Sequence, residues 1–178
     1  MKKILYIHQY FRTPEEGGAI RSYYLAKGLV EHGNKVTMIT SHNASKKVIK
    51  RIDGIDVHYL PVPYDNNMGF LKRAWAFFSF VIISLRYIKK LSKHDICYAT
   101  STPLTVGIIA MRLKKKLGLP FYFEVRDLWP EAPIQMGAIR NRLLIYFLRR
   151  LENRIYKGAE KIVALSPGIR DNILKNVP

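Results

Sequence analysis

The sequence predicts an α/β fold built on a parallel sheet, and two observations carry that prediction. Short β-branched or aromatic runs alternate with longer helical patterns along the whole of the 178 residues. The stretch Phe121–Pro133, FYFEVRDLWPEAP, begins as a strand and then breaks into the polar cluster Arg126-Asp127, with Trp129 and Glu131 close behind. An open α/β sheet places its ligand crevice at the carboxyl ends of its strands, where this cluster falls. Alternation of this kind argues for right-handed crossovers and a Rossmann-like doubly wound parallel sheet.

Taken in order, Lys3–Ile7 reads as a buried first strand, followed by a polar loop, His8–Gly18, that ends in Gly17-Gly18. Helical spacing begins at Ala19, with Ile20, Tyr24, Leu25 and Leu29 able to share a face, and His32-Gly33-Asn34 supplies the stop. Lys35–Ser41 is the second strand, Asn43–Asp53 a basic loop, and Asp56–Leu60 the third strand, ended by Pro61 and Pro63. Met68–Leu91 is a long apolar-basic segment of one helix or two. Asp95–Ala99 is the fourth strand, with Thr100-Ser101-Thr102 as a cap and Pro103 at the first position of a helix that runs to Gly118. Pro120–Val125 is the fifth strand. Ala138–Lys157 is a basic helix, with Leu143, Phe147, Leu151 and Ile155 at successive i+4 steps, and Lys161–Leu165 is the sixth strand. Ser166-Pro167-Gly168 opens a last helix with the same cap-then-proline signature. Asn176-Val177-Pro178 reads as the middle of a continuing loop.

With 48% hydrophobic residues the chain can build one sizeable core, so one domain is expected. The single cysteine, Cys97, excludes an intrachain disulfide and a cysteine-cluster metal site, and suits a reducing, cytoplasmic setting. Lys2-Lys3 is followed by too few apolar residues for a signal peptide. The longest apolar run, Ala74–Leu85, has twelve residues, whereas a spanning helix needs about 20. The net charge of +17 favours a polyanionic partner, and it is unevenly placed. Between Asp65 and Glu124 the only acid is Asp95, against ten Lys and Arg.

Gly17-Gly18 before a helix permits close backbone approach to a phosphate, with Arg21 one turn in; a simple turn pair is the competing reading. Neither a dinucleotide fingerprint nor a P-loop is present. Asp127 can act as general base toward a sugar hydroxyl, with Arg126 holding it ionised or touching a phosphate; alternatively the two merely cap the next segment. Trp129 and Glu131 can stack on and hydrogen-bond a sugar, or pack locally. Lys72 and Arg73 precede the apolar dozen, and Arg86, Lys89, Lys90 and Lys93 follow it. A helix of that kind can lie in the headgroup layer of an anionic membrane through Lys72, Arg73, Trp75, Phe77, Phe78, Arg86, Lys89 and Lys90, or be a buried helix with cationic ends. The five histidines show no metal-ligand spacing, and no Ser/His/Asp grouping or cysteine nucleophile is evident. A nucleic-acid partner is not expected, because the aromatics do not recur in a stacking pattern and no nucleic-acid motif occurs.

Three stretches carry a resemblance. Ile7-His8-Gln9-Tyr10-Phe11 running to Gly17-Gly18, Phe123–Glu131 (FEVRDLWPE) and Ala164-Leu165-Ser166-Pro167-Gly168 resemble the N-terminal domain of the GT-B retaining glycosyltransferases of family 4, in the branch that builds bacterial surface polysaccharides. The likeness covers the whole chain and implies one of two domains: this half for the acceptor, a C-terminal half for most of the nucleotide-sugar. By that likeness Gly17-Gly18 would lie under the donor diphosphate; the candidate catalytic residues of this chain are Asp127 and Arg126, and its candidate substrate-binding residues Gly17, Gly18, Arg21, Glu124, Trp129, Glu131, Ser101 and Thr102. Many relatives carry His-Asp at the end of the fifth strand, whereas this chain has Arg126-Asp127, which makes Asp127 the stronger catalytic candidate. The acidic Glu-x7-Glu element of such enzymes belongs to the second domain. No cofactor or metal is implied beyond the nucleotide-sugar as co-substrate. The implied acceptor is a polyprenyl-diphosphate-linked saccharide, which would hold the protein against the anionic inner leaflet of the plasma membrane. The competing reading is a non-enzymatic membrane-docking subunit that recruits a separate donor-binding chain.

Overall fold

The computed structural model describes residues 1–18, 20–65 and 67–176. Among these residues seven strands form one sheet: β1 (Lys3–Ile7), β2 (Lys35–His42), β3 (Val48–Ile52), β4 (Ile55–Pro61), β5 (Ile96–Thr100), β6 (Phe121–Val125) and β7 (Lys161–Ala164). Six α-helices accompany them: α1 (Arg21–Glu31), α2 (Phe70–Ile88), α3 (Val106–Leu117), α4 (Glu131–Gln135), α5 (Arg142–Gly158) and α6 (Pro167–Asn176). The strand order is β3-β4-β2-β1-β5-β6-β7, and every pairing is parallel except β3 with β4. From β1 the chain winds outward to β2 and β4, then returns to the other side of β1 for β5, β6 and β7. This is the Rossmann-like arrangement predicted, with its topological switch point between β1 and β5.

Strand alternation divides the core in two. Leu5, Ile7, Cys97, Ala99, Phe121, Phe123 and Val125 face a layer made by α2, α3, α5 and α6, contributing Phe80, Ile109, Ile155 and Ile173 among others. Ile4, Tyr6, Val36, Met38, Ile55 and Val57 face Tyr23 and Ala26 of α1. Successive side chains of a strand point to opposite faces, so runs that are apolar throughout serve both layers. A Cβ on Gly107 of α3 would stand 2.5 Å from Cδ1 of Ile155, so only glycine admits α5 at that crossing.

Three expectations are corrected. The expected loop Asn43–Asp53 contains β3, an edge strand closed on β4 by Asp53-Gly54. Both residues have positive φ, 46° and 81°, as a tight two-residue hairpin turn requires. The helix expected from Pro103 starts at Val106, with Thr105 at its N-cap making no side-chain capping bond, because the hydroxyls of Ser101 and Thr102 are engaged elsewhere. The helix expected from Ala138 starts at Arg142. Gly137, at φ 71°, ends the short α4 region, and the Asn141 side chain accepts from Leu144 N at 3.0 Å to cap α5. The i+4 row Leu143–Phe147–Leu151–Ile155 does not pack as one seam. Leu143 and Phe147 are 71% and 62% exposed while Ile155 is buried. Steps of four advance about 40° each around a helix of 3.6 residues per turn, so the row winds from solvent into the core.

Met68–Leu91 resolves as a single helix, α2. The expected start of the first helix at Ala19, and Val177 and Pro178 of the expected final loop, lie outside the described residues. Among the described residues no helix is long and apolar enough to cross a membrane.

Candidate active site

The parallel register sets the carboxyl ends of the central strands level. Ile7 pairs with Ile39 and with Ala99, and Thr100 pairs with Glu124. The residues that leave these strands therefore meet at one edge: His8 and Gln9 after β1, Ser101 and Thr102 after β5, Arg126 and Asp127 after β6. The backbone carbonyl of Gln9 accepts from Ser41 N at 3.1 Å and Ser41 Oγ at 2.8 Å, which ties the exit of β1 to β2.

Sequences 25 residues apart interlock across β5 and β6. Ser101 N donates to the carbonyl of Glu124 at 2.9 Å, and Ser101 Oγ accepts from Arg126 N at 3.1 Å. Thr102 Oγ1 donates to Asp127 Oδ2 at 2.8 Å. Asp127 itself is exposed, with Oδ2 held by this bond. Arg126 does not pair with Asp127. Its Nη1 lies 3.4 Å from Nε2 of His8. A guanidinium only donates, so Nε2 is the acceptor and the ring proton sits on Nδ1. Burial, and secondarily the Arg126 charge, push the His8 imidazole down to about 3, which keeps it neutral.

One layer deeper, Glu124 is fully buried. Arg21 Nε, at the first residue of α1, donates to its Oε1 at 3.0 Å, and Thr100 Oγ1 donates to its Oε2 at 2.8 Å. The Tyr6 hydroxyl lies 3.2 Å from Thr100 Oγ1, extending the chain of polar groups. A buried carboxylate is tolerable only when paired and hydrogen-bonded in this way. The pair pins the amino end of α1, and so the loop preceding it, to β6. In that loop Thr13 N donates to Glu16 Oε2 at 2.9 Å. Gly17 and Gly18 follow at φ 67° and 85°, conformations that favour glycine. Both are exposed.

The predicted residues therefore separate into groups. Asp127, Arg126, Ser101 and Thr102 stand together at the edge, with Glu124 and Arg21 beneath as a buried support. Glu131 turns away, its Oε2 accepting from Arg149 Nη2 of α5 at 3.0 Å. Trp129 is half-buried and meets Phe77 of α2 edge-on at 6.4 Å. Phe77 stacks on Tyr64 at 6.0 Å, and Tyr64 lies 4.4 Å from Tyr10. Phe77 thus faces inward, because a position two residues from Trp75 lies about 200° round the helix. Trp75 and Phe78 do face solvent, 75% and 53% exposed, as do Lys72, Arg86, Lys89 and Lys90. Arg73 is half-buried near the Tyr10 hydroxyl. His8, Gln9 and Thr100 were missed as site residues. The available signal was their position immediately at the carboxyl ends of β1 and β5. Among the described residues no group of three or more His, Cys, Asp or Glu side chains could hold a metal ion.

The fold that carries this edge is shared with solved structures. Sucrose-phosphate synthase from Thermosynechococcus elongatus superposes with a TM-score of 0.69 at 14% identity, over 98% of this chain and 45% of that one. MurG of Acinetobacter baumannii superposes with a TM-score of 0.52 at 12% identity, over 95% of this chain and 42% of that one. The chain spans about half the length of these relatives, and the likeness identifies its fold as that of a GT-B domain. The family follows from sequence: the profile of the glycosyl transferase 4-like domain matches residues 16–177, and the chain belongs to that family. No curated protein matches the chain.

Proposed function

We propose that this chain is the acceptor-binding half of a retaining glycosyltransferase. In this reading it moves a sugar from a nucleotide-sugar to a polyprenyl-diphosphate-linked saccharide during capsule, O-antigen or exopolysaccharide synthesis. The observation that carries it is Asp127, exposed beside the switch point and oriented by Thr102. The acceptor oxygen bonds to the anomeric carbon on the same face from which the diphosphate departs, so configuration is retained, and the Asp127 carboxylate takes the proton of the acceptor hydroxyl as the carbon–diphosphate bond breaks. Charge gathering on the leaving diphosphate is met by Arg126 and by the exposed Gly17-Gly18 turn that precedes α1, with a second domain holding most of the donor. Neutral His8 accepts from Arg126 without competing for anions.

A membrane-bound acceptor is supported by α2, whose solvent face carries Leu71, Trp75, Phe78 and Ile82, all exposed, with cations at both ends. On this reading the protein works peripherally on the anionic inner face of the plasma membrane.

In the full-length enzyme, Asp127→Asn is expected to lower kcat by about 10²–10⁴-fold with an unchanged circular dichroism spectrum and melting temperature. The readout is transfer of labelled sugar from nucleotide-sugars to membrane lipid acceptors. Retention of wild-type turnover would overturn the assignment of the base. Full transfer by the isolated 178 residues would overturn the requirement for a second domain.

A further inference from the structure

We infer that α5 is a second membrane-inserting element, which together with α2 sets the carboxyl edge of the sheet against an anionic phospholipid surface. The inference rests on the membrane reading above and extends it to a helix on which that reading does not depend.

Both helices carry the same graded outer face. On α2, Leu71, Trp75, Phe78 and Ile82 are exposed, and Arg86 and Lys89 continue the exposed face. Eleven residues turn a helix through about 1100°, only some 20° from three full turns, so Trp75 stands over Arg86 and Phe78 over Lys89. On α5, Leu143 and Phe147 are exposed, and Arg150 and Arg154 lie within about 20° of them at spacings of seven and eleven. Along each of these faces the apolar side chains precede the cations, with Lys72 of α2 and Arg142 of α5 also exposed in the first turn.

Topology aligns the two gradients. α2 connects β4 to β5 and α5 connects β6 to β7, all parallel within one sheet, so both helices run from its carboxyl edge to its amino edge. Both contribute to the same core face. α3 packs between them, exposing Arg112, Lys115 and Lys116 in its last two turns. The layer thus presents two apolar prongs beside the edge that holds Asp127, and a cationic field behind them.

Charge selects the occupant. From residue 138 to 158 there are six Arg or Lys and a single acid, Glu152, which is half-buried and receives the Tyr156 hydroxyl. A shallow groove along α5 is lined by Tyr146, Arg149, Arg150, Asn153, Arg154 and Lys157, of which Arg149 is paired with Glu131. Leucine and phenylalanine at the leading end suit acyl chains, and Arg150 and Arg154 behind them, in no salt bridge among the described residues, suit anionic headgroups. A second copy of the chain would bring these cations against their own kind. Seating both prongs turns the crevice toward the bilayer, where a lipid-borne acceptor reaches Asp127 without leaving the leaflet.

The test places an indole at position 147 by Phe147→Trp in a Trp75→Phe background, and compares it with the unaltered chain. Vesicles of phosphatidylglycerol and phosphatidylcholine carry brominated acyl chains. Quenching of the new indole and of Trp75 is expected with anionic vesicles and absent with pure phosphatidylcholine. Leu143→Asn with Phe147→Asn is expected to lower partitioning roughly tenfold with an unchanged melting temperature. Arg150→Gln with Arg154→Gln is expected to lower it several-fold at low salt. Quenching of Trp75 without the position-147 indole, or wild-type partitioning of the Leu143/Phe147 variant, overturns the role of α5 and leaves the α2 reading standing. No partitioning of the unaltered chain overturns both. A dimer that the Leu143/Phe147 variant dissociates assigns this face to a second copy and overturns the lipid assignment.

Discussion

Two stretches of the chain share one local signature and use it differently. Ser166-Pro167 opens α6 as a cap should: Ser166 Oγ accepts from Ile169 N at 3.2 Å, and Pro167 is the first residue of the helix. Thr100-Ser101-Thr102-Pro103 has the same residue types, yet α3 starts at Val106 and its N-cap makes no side-chain bond. Its hydroxyls reach instead across the sheet: Thr100 to Glu124, Ser101 to Arg126 N, and Thr102 to Asp127. Satisfying a helix end is a local matter of about 1 kcal/mol. Holding a strand exit and its carboxylate in place draws on the same hydroxyls. A capping motif that fails to cap beside a switch point is therefore a mark of the site.

That contrast can be sharpened or broken by substitution. Under the proposed function, the largest effect is expected for Thr102→Val. Losing the donor to Asp127 should lower turnover by about a hundredfold through misplacement, with little change in stability; unchanged turnover would show that the Thr102 bond orients nothing. Next comes Ser101→Ala, which strips the half-buried N–H of Arg126 of its acceptor and should destabilise by about 1–3 kcal/mol in urea unfolding. A neutral result would mean that the exit of β6 is held by other contacts.

A pH effect separates the two regions as well. His8 is held down to about 3 by burial and by Arg126, whereas an unfolded imidazole takes a proton below about 6.5. The unfolded chain therefore binds more protons between those values. The contribution of His8 to stability is complete above about 6.5 and is lost as pH falls toward 3, by at most about 1.4 kcal/mol per pH unit. His8→Asn should flatten that part of the stability profile in melts from pH 4 to 8; parallel profiles would refute it. The smallest effect is expected for Ser166→Ala, about 1 kcal/mol of stability with wild-type turnover. A loss of turnover there would erase the distinction between the two stretches.

The legible parts of the fold were those with a strong local pattern. β1, β5 and β6 are short buried runs bounded by polar exits, and α2 is apolar nearly all round, so each announces itself. β3 escaped because VIKRI has no two-residue hydrophobic alternation, and an edge strand that buries little needs none. Its clearest trace, Asp53-Gly54 between two strand-like runs, is a turn signal that the surrounding charges obscured. At the site, Arg126-Asp127 stood out because a charged pair at a strand exit is conspicuous. The partners of that pair did not, since His8 is 118 residues from Arg126 and Thr102 is 25 from Asp127.

By itself the sequence determined the alternation of strands and helices, the polar strand exits and the asymmetric charge, because each rests on residues within a turn or two of one another. Only the tertiary structure decided that Arg126 faces His8 rather than Asp127, that Glu124 is sealed beneath Arg21, and that Phe77 turns inward while Trp75 does not. It also decided that α2 and α5 carry parallel gradients on one face. These outcomes depend on strand order, register and helix phase, which bring distant residues to one edge and which no local pattern encodes.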